Sequence, residues 1–108
     1  MPESPERGAL TEAVYYILLA LHTPMHGYGI MHYVKELSNQ RVILGAGTLY
    51  GAINTLLEKG WIKALPSIED SRKKEYEITK VGKETLLMEI KRLEELIEHG
   101  KNVTRGNS

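Results

Sequence analysis

A chain of 108 residues that is 42% hydrophobic can hold one compact core and little more. It contains no cysteine, which excludes disulfides, thiolate catalysis and cysteine-based zinc sites and fits a reducing, cytoplasmic setting. Its 14 basic and 14 acidic side chains cancel, so whole-chain charge gives no argument for a polyanionic partner. The opening residues Met1 to Arg7 lack the basic and apolar regions of a leader, and no run approaches the roughly 18 to 20 apolar residues of a membrane span. Residues 1–8 are expected to be a flexible N-terminus.

The first periodic segment, Leu10 to His22, places Leu10, Val14, Ile17, Leu18 and Leu21 at helical spacing, with Thr11 or Ser4 available as a cap. Its other side carries Tyr15, Tyr16, Leu19 and Ala20, so this helix is apolar nearly all round and must be covered from more than one direction, in part by a second subunit. Pro24 and Gly27 break the chain before a second helix over Tyr28 to Leu37, spaced by Ile30, Val34 and Leu37. Val42-Ile43-Leu44 reads as a short edge strand. A third helix over Gly47 to Lys59 puts Leu49, Ile53, Leu56 and Leu57 on one face and Thr48, Tyr50, Gly51, Asn54, Thr55 and Glu58 on the other.

Gly60 is placed to end that helix, and Trp61 to Leu65 and Lys74 to Ile78 then read as two strands around a loop from Pro66 to Lys73. Thr79 is placed to cap a last helix to about His99, along which Leu86, Ile90, Leu93 and Ile97 form a seam at intervals of four, three and four. Gly100 should end it, leaving 100–108 as a disordered tail. The fold class is α+β and mainly α: a winged helix-turn-helix over 9–79 followed by a long C-terminal dimerisation helix over 80–99.

Charge is distributed unevenly along this plan. Residues 41–83 carry eight basic and five acidic side chains, whereas 1–40 carry two and four and 84–108 carry four and five. Phosphates respond to local potential, so a net +3 middle third is compatible with DNA. The first turn of the third helix presents Gly47, Thr48 and Tyr50, with Asn54 one turn on. The Asn54 amide can pair bidentately with adenine, and the hydroxyls of Thr48 and Tyr50 suit phosphate or a single base edge. Arg72, Lys73 and Lys74 at the wing, with Lys63 on its outgoing strand, are the cations able to reach the phosphate backbone. Surface solvation and turn formation explain the same residues without DNA, and Trp61 suits a core or hinge better than a stacking platform.

Other chemistry finds no foothold. Gly45, Gly47 and Gly51 lack dinucleotide-binding spacing, His22, His26 and His32 are split by Pro24 and Gly27, and no serine or carboxylate pair sits in a catalytic pattern. The reading is therefore of a non-enzyme without metal or cofactor.

The joints between elements resemble those of the PadR-like transcriptional regulators. The resemblance rests on Leu10-Thr11-Glu12, Gly27-Tyr28-Gly29-Ile30, Gly47-Thr48-Leu49-Tyr50, Leu56 to Ile62, Arg72 to Thr79, and Gly82, covering about residues 9–98. It implies a homodimeric winged-helix regulator, mostly a repressor type, joined through its last helix and binding double-stranded DNA at a pseudo-palindromic operator. The dimer residues on this reading are Tyr15, Leu19, Leu86, Ile90, Leu93 and Ile97. Larger members carry an extended C-terminal effector-binding helical domain, with no counterpart here after residue 99. Regulators of this type often answer to a small-molecule effector, and Tyr15, Tyr16, Met31, Tyr33 and Met88 could line an inter-subunit pocket or simply pack the core. The alternative function is a winged-helix protein-interaction module without DNA binding.

Overall fold

The computed structural model describes residues 9–66 and 74–106. The elements run α1 (Glu12–Ala20), β1 (Met25–His26), α2 (Gly27–Leu37), α3 (Ala46–Glu58), β2 (Ile62–Leu65), β3 (Glu75–Ile78) and α4 (Lys80–Thr104). The flexible-terminus expectation for 1–8 and most of the wing loop fall outside the described residues.

Each helix is bounded by identifiable chemistry. Thr11 caps α1 by accepting from the Val14 N–H at 3.1 Å, and the His22 ring closes its other end with Nδ1 3.1 Å from the Leu18 carbonyl. That carbonyl can only accept, which assigns the proton to Nδ1. Helix α2 ends with the Asn39 N–H on the Glu36 carbonyl and the Gln40 N–H on the Lys35 carbonyl, Asn39 taking a left-handed φ of 57°. Helix α3 ends the same way: Gly60 supplies a φ of 74°, its N–H bonds the Leu57 carbonyl, and the Trp61 N–H bonds the Leu56 carbonyl.

The core gathers Ile17 and Leu18 of α1 and Leu21 just after it with Ile30 and Val34 of α2, Leu49, Ile53 and Leu56 of α3, and Trp61, Ile62, Tyr76, Ile78 and Leu86. Two adjacent positions of α1, Ile17 and Leu18, are both fully buried, as the lack of a polar side had required. The sheet is antiparallel in the order β1-β3-β2, with Tyr76 opposite both Met25 and Ala64.

Two expectations fail here. Val42-Ile43-Leu44 is not a strand: the third place in the sheet is taken by Met25 and His26, and the 42–44 segment is turned inward by the Val42 N–H bonding Ser38 Oγ, leaving Leu44 buried and Ile43 exposed. A two-residue strand has too little length for any alternation to register in sequence. The last helix also does not stop at Gly100. It continues to Thr104, and Gly106, with a φ of 67°, is the glycine that takes the left-handed turn at its end. A glycine inside a helix costs about 1 kcal/mol, which flanking turns readily offset.

The seat of α4 is set by its first turn. The Thr79 hydroxyl accepts from the Gly82 N–H at 3.1 Å and donates to the Gly60 carbonyl at 2.7 Å, while the Thr79 N–H bonds the Trp61 carbonyl. A Cβ on Gly82 would stand 2.1 Å from that same Trp61 oxygen. Further along, Glu89 is only 6% exposed yet fully engaged, accepting from the Leu10 N–H and from Arg92 Nε and Nη2, the latter two at 2.7 Å. The Arg92 guanidinium holds the Glu89 carboxyl below the ordinary glutamate range against the opposing effect of burial, with the Leu10 N–H helping.

Gly82→Ala should lower stability by at least about 2 kcal/mol, because the obstructing atom is backbone, and should drop the melting temperature by roughly 8 °C or more. Circular-dichroism melts measure this, and a shift under about 3 °C would mean the contact relaxes freely. A depressed folded-state pKa gives stability that is present above the unfolded glutamate value and is lost as pH falls through the folded one. Glu89→Gln should therefore cost about 1 to 2 kcal/mol at pH 7 and flatten the acid limb of the stability curve below about pH 4.5, followed by urea titration at several pH values.

Candidate nucleic-acid interface

Helix α3 divides cleanly. Leu49, Ile53 and Leu56 are buried, while Gly45, Ala46, Gly47, Thr48, Gly51, Asn54, Thr55 and Glu58 are exposed and Tyr50 is 45% exposed. Its cap residue, Gly45, has no side chain to offer, so no side-chain oxygen occupies the first-turn N–H groups. An uncapped helix start directs amide hydrogens and the positive dipole end outward, which is the chemistry that receives a phosphate.

The glycines on this face have no packing explanation within the fold. A Cβ at Gly47 or Gly51 would meet nothing within 4 Å, and neither residue has a left-handed φ. Each therefore weakens α3 relative to alanine without relieving any internal contact. They leave the helix backbone bare at its surface. Asn54, one turn after Tyr50, is exposed on the free face, and the Thr55 hydroxyl donates to the Gly51 carbonyl at 3.2 Å.

The remaining candidates divide. Lys63 on β2 stands opposite Glu77 on β3, with Nζ 3.9 Å from the carboxylate, so its charge is partly met within the hairpin. Lys74 is exposed just before β3, and Arg72 and Lys73 lie outside the described residues. Trp61 is 8% exposed and carries Lys59 Nζ 5.1 Å above its ring, a hinge aromatic rather than a stacking surface. Of the residues weighed between an inter-subunit pocket and core packing, Tyr15 and Tyr16 meet edge to face, Met31 packs against the core, and Tyr33 and Met88 lie exposed in the single chain. A cleft of about 340 Å³ opens elsewhere, between Leu10 and Val14 of the α1 approach and Ala52, Leu56 and Trp61.

The six expected dimer residues also separate. Leu86 is 2% exposed inside its own core and Ile90 packs against that core, so these two are largely consumed by the single chain. Tyr15, Leu19 and Leu93 are half-buried, and Ile97 is 54% exposed. Besides them α4 exposes Leu96, within the Leu93–Ile97 stripe, and Val103, which extends it past Gly100. Val103 was hidden from the sequence reading by ending the helix at Gly100.

The amino-acid sequence matches the model of the "Transcriptional regulator PadR-like family" over residues 16–87, two-thirds of the chain. The chain belongs to this family. No curated protein matches it. Among solved structures, a transcriptional regulator from Clostridium thermocellum is similar with a TM-score of 0.63 and 24% identity over 88% of this chain and 89% of that one. H. salinarum RosR gives 0.66 at 17% identity over 94% of each chain. Bacillus subtilis PadR, solved in complex with operator DNA, gives 0.63 at 28% identity, over 73% of this chain and 46% of its own longer one. These likenesses give the winged-helix fold with its long last helix, and the PadR-like family is one of regulators rather than enzymes. Among the described residues no helix is long and apolar enough to cross a membrane.

Gly51→Ala should raise the stability of the free protein by about 0.5 to 1 kcal/mol, since the methyl enters open space on an exposed helix. A thermal melt that falls instead would reveal a packing role for this glycine.

Proposed function

We propose that this PadR-like chain is a sequence-specific DNA-binding regulator that acts as a homodimeric repressor. The observation that carries the reading is the free face of α3, where an uncapped helix start, two glycines without internal purpose and Asn54 stand together beside the wing. In the major groove, the bare backbone admits close approach to the sugar-phosphate chain, the first-turn N–H groups take a phosphate, and the Asn54 amide reads an adenine edge. Thr48 adds a hydroxyl to the backbone contacts, and Lys74, with Arg72 and Lys73, supplies cationic contacts from the wing. The Bacillus subtilis relative bound to operator DNA supports the same use of the fold.

Dimerisation follows from the length of α4. Its 25 residues span about 38 Å, and the chain has a radius of gyration of 16.0 Å, against about 13 Å for a compact domain of this size. The excess is helix projecting past the core with Leu93, Leu96, Ile97 and Val103 along one side, a stripe that a second copy would bury. A two-fold pair presents two copies of α3 to half-sites about one helical turn apart, hence a pseudo-palindromic operator. A small-molecule effector that releases the complex would complete a repressor of this kind.

Fluorescence anisotropy should show the protein preferring a duplex from upstream of its own coding region over a scrambled one by about 10³-fold, with steep weakening as salt rises. Lys74→Gln should lower the log–log salt slope by about one unit. Absence of binding even at low salt would leave a protein-interaction module as the better reading. Sedimentation should give a dimer for the natural chain and a monomer for Ile97→Glu, a position exposed enough in the single chain for the charge to leave folding intact. A dimer unchanged by that substitution would move the contact off the α4 stripe.

A further inference from the structure

Tyr50 belongs to the free face of α3 by spacing, yet its ring leans across to another helix. A Cβ built on Gly27 would lie 2.1 Å from Tyr50 Oη, 2.6 Å from Cζ and 3.3 Å from Cε1. The phenol thus rests directly on the bare backbone of Gly27, with no space left for even a methyl group. Gly27 is buried at the first position of α2 and does not adopt a left-handed φ, so backbone freedom does not explain the glycine. Contact with Tyr50 does.

This seat lies at a crossing of elements. His26, just before Gly27, caps α2 by accepting from the Gly29 N–H and is paired with Glu75 at the start of β3. Met25 is paired with Tyr76, whose buried phenol is pushed upward in pKa by desolvation and then by its neighbour Tyr50. The Tyr50 ring therefore touches the beginning of α2 next to the strand that returns from the wing.

We propose that Tyr50 is a positioning residue: its ring, seated on Gly27, fixes α3 relative to the start of α2 and the base of the wing, so that both DNA-facing elements keep one spacing. The proposal rests on the DNA-binding reading above. It assigns to Gly27, a buried residue with no side chain of its own, an influence on affinity, and it replaces a hydroxyl contact to DNA with an aromatic strut inside the protein.

Gly27→Ala tests this from the other side of the contact, without replacing any side chain of α3. The added methyl meets the far end of one side chain, so Tyr50 must swing away while the backbone stays, and alanine favours α2. The proteins compared are the natural chain, G27A, Y50L, the G27A/Y50L double variant and Y50F, by anisotropy on the upstream duplex at low salt, with melts run in parallel. G27A and Y50L should each weaken binding by about tenfold, and the double variant should be no weaker than Y50L alone, because both changes remove one contact. Y50F, which keeps the ring, should recover most of the loss. Additive losses approaching a hundredfold, or a Y50F as weak as Y50L, would overturn the proposal, the second result meaning that the hydroxyl itself contacts DNA. Should G27A fail to fold, the Y50F and Y50L pair still decides between ring and hydroxyl. A natural chain that binds no duplex at all would overturn the functional reading itself, a result distinct from an additive cycle in a binding-competent protein.

Discussion

The arrangement depends on the place where Gly82 lies against the carbonyl of Trp61. There the end of α3, the beginning of β2, the end of β3 and the first turn of α4 meet within two residues of one another, and the single hydroxyl of Thr79 joins Gly60 to Gly82. Because the contact is backbone to backbone, it permits little sliding. It fixes α3 to the wing on one side and the wing to α4 on the other, and the buried Glu89 with Arg92 and the Leu10 N–H secures α4 to the approach of α1 two turns later. These shared contacts hold the spacing of α3 and the wing, which is what a reader of DNA needs if two contacting elements are to stay in register.

Charge is unevenly placed across the candidate interface. The chain is neutral overall, Lys63 faces Glu77 and Lys59 sits over Trp61, so little of the described positive charge is committed to the α3 face. Under the proposed function, affinity would draw on amide hydrogens at a helix start and on close approach across glycine, with cations concentrated at the wing. Interactions of that type depend on distance more sharply than does a long cationic side chain, which searches a wide volume. They favour a rigid frame.

Much of this was legible in the amino-acid sequence, for definite reasons. Helices α2 and α3 announce themselves by apolar spacing, and Gly60 and Thr79 mark the end of α3 and the start of α4 because a left-handed turn and a hydroxyl cap are strongly selective for residue type. The two hairpin strands follow from Tyr76 and Ile78 alternating with glutamates. What escaped was whatever depends on partners distant along the chain. Met25 and His26 form a strand only because β3 arrives beside them, Glu89 is buried only because Leu10 and Arg92 meet it there, and Leu86 looks like one more seam position until the core closes over it. At the reading face, spacing identified which residues of α3 are free but could not reveal that the Tyr50 ring crosses to Gly27. Gly100 misled for the opposite reason: a residue that commonly ends helices was read locally, where the turn beyond it carried the helix on to Thr104.

The chain has one tryptophan, and the fold puts it at the elbow between α3 and the wing, nearly covered and beneath a lysine ammonium. With no other indole to confuse the signal, its emission is a single-site optical probe of that elbow. A shift to longer wavelength would register water reaching the ring as the elbow loosens. Constancy of colour through an association event would register an elbow that stays shut while surfaces elsewhere engage. The molecule thus carries its own strain gauge, with no label attached to the helix it would otherwise disturb.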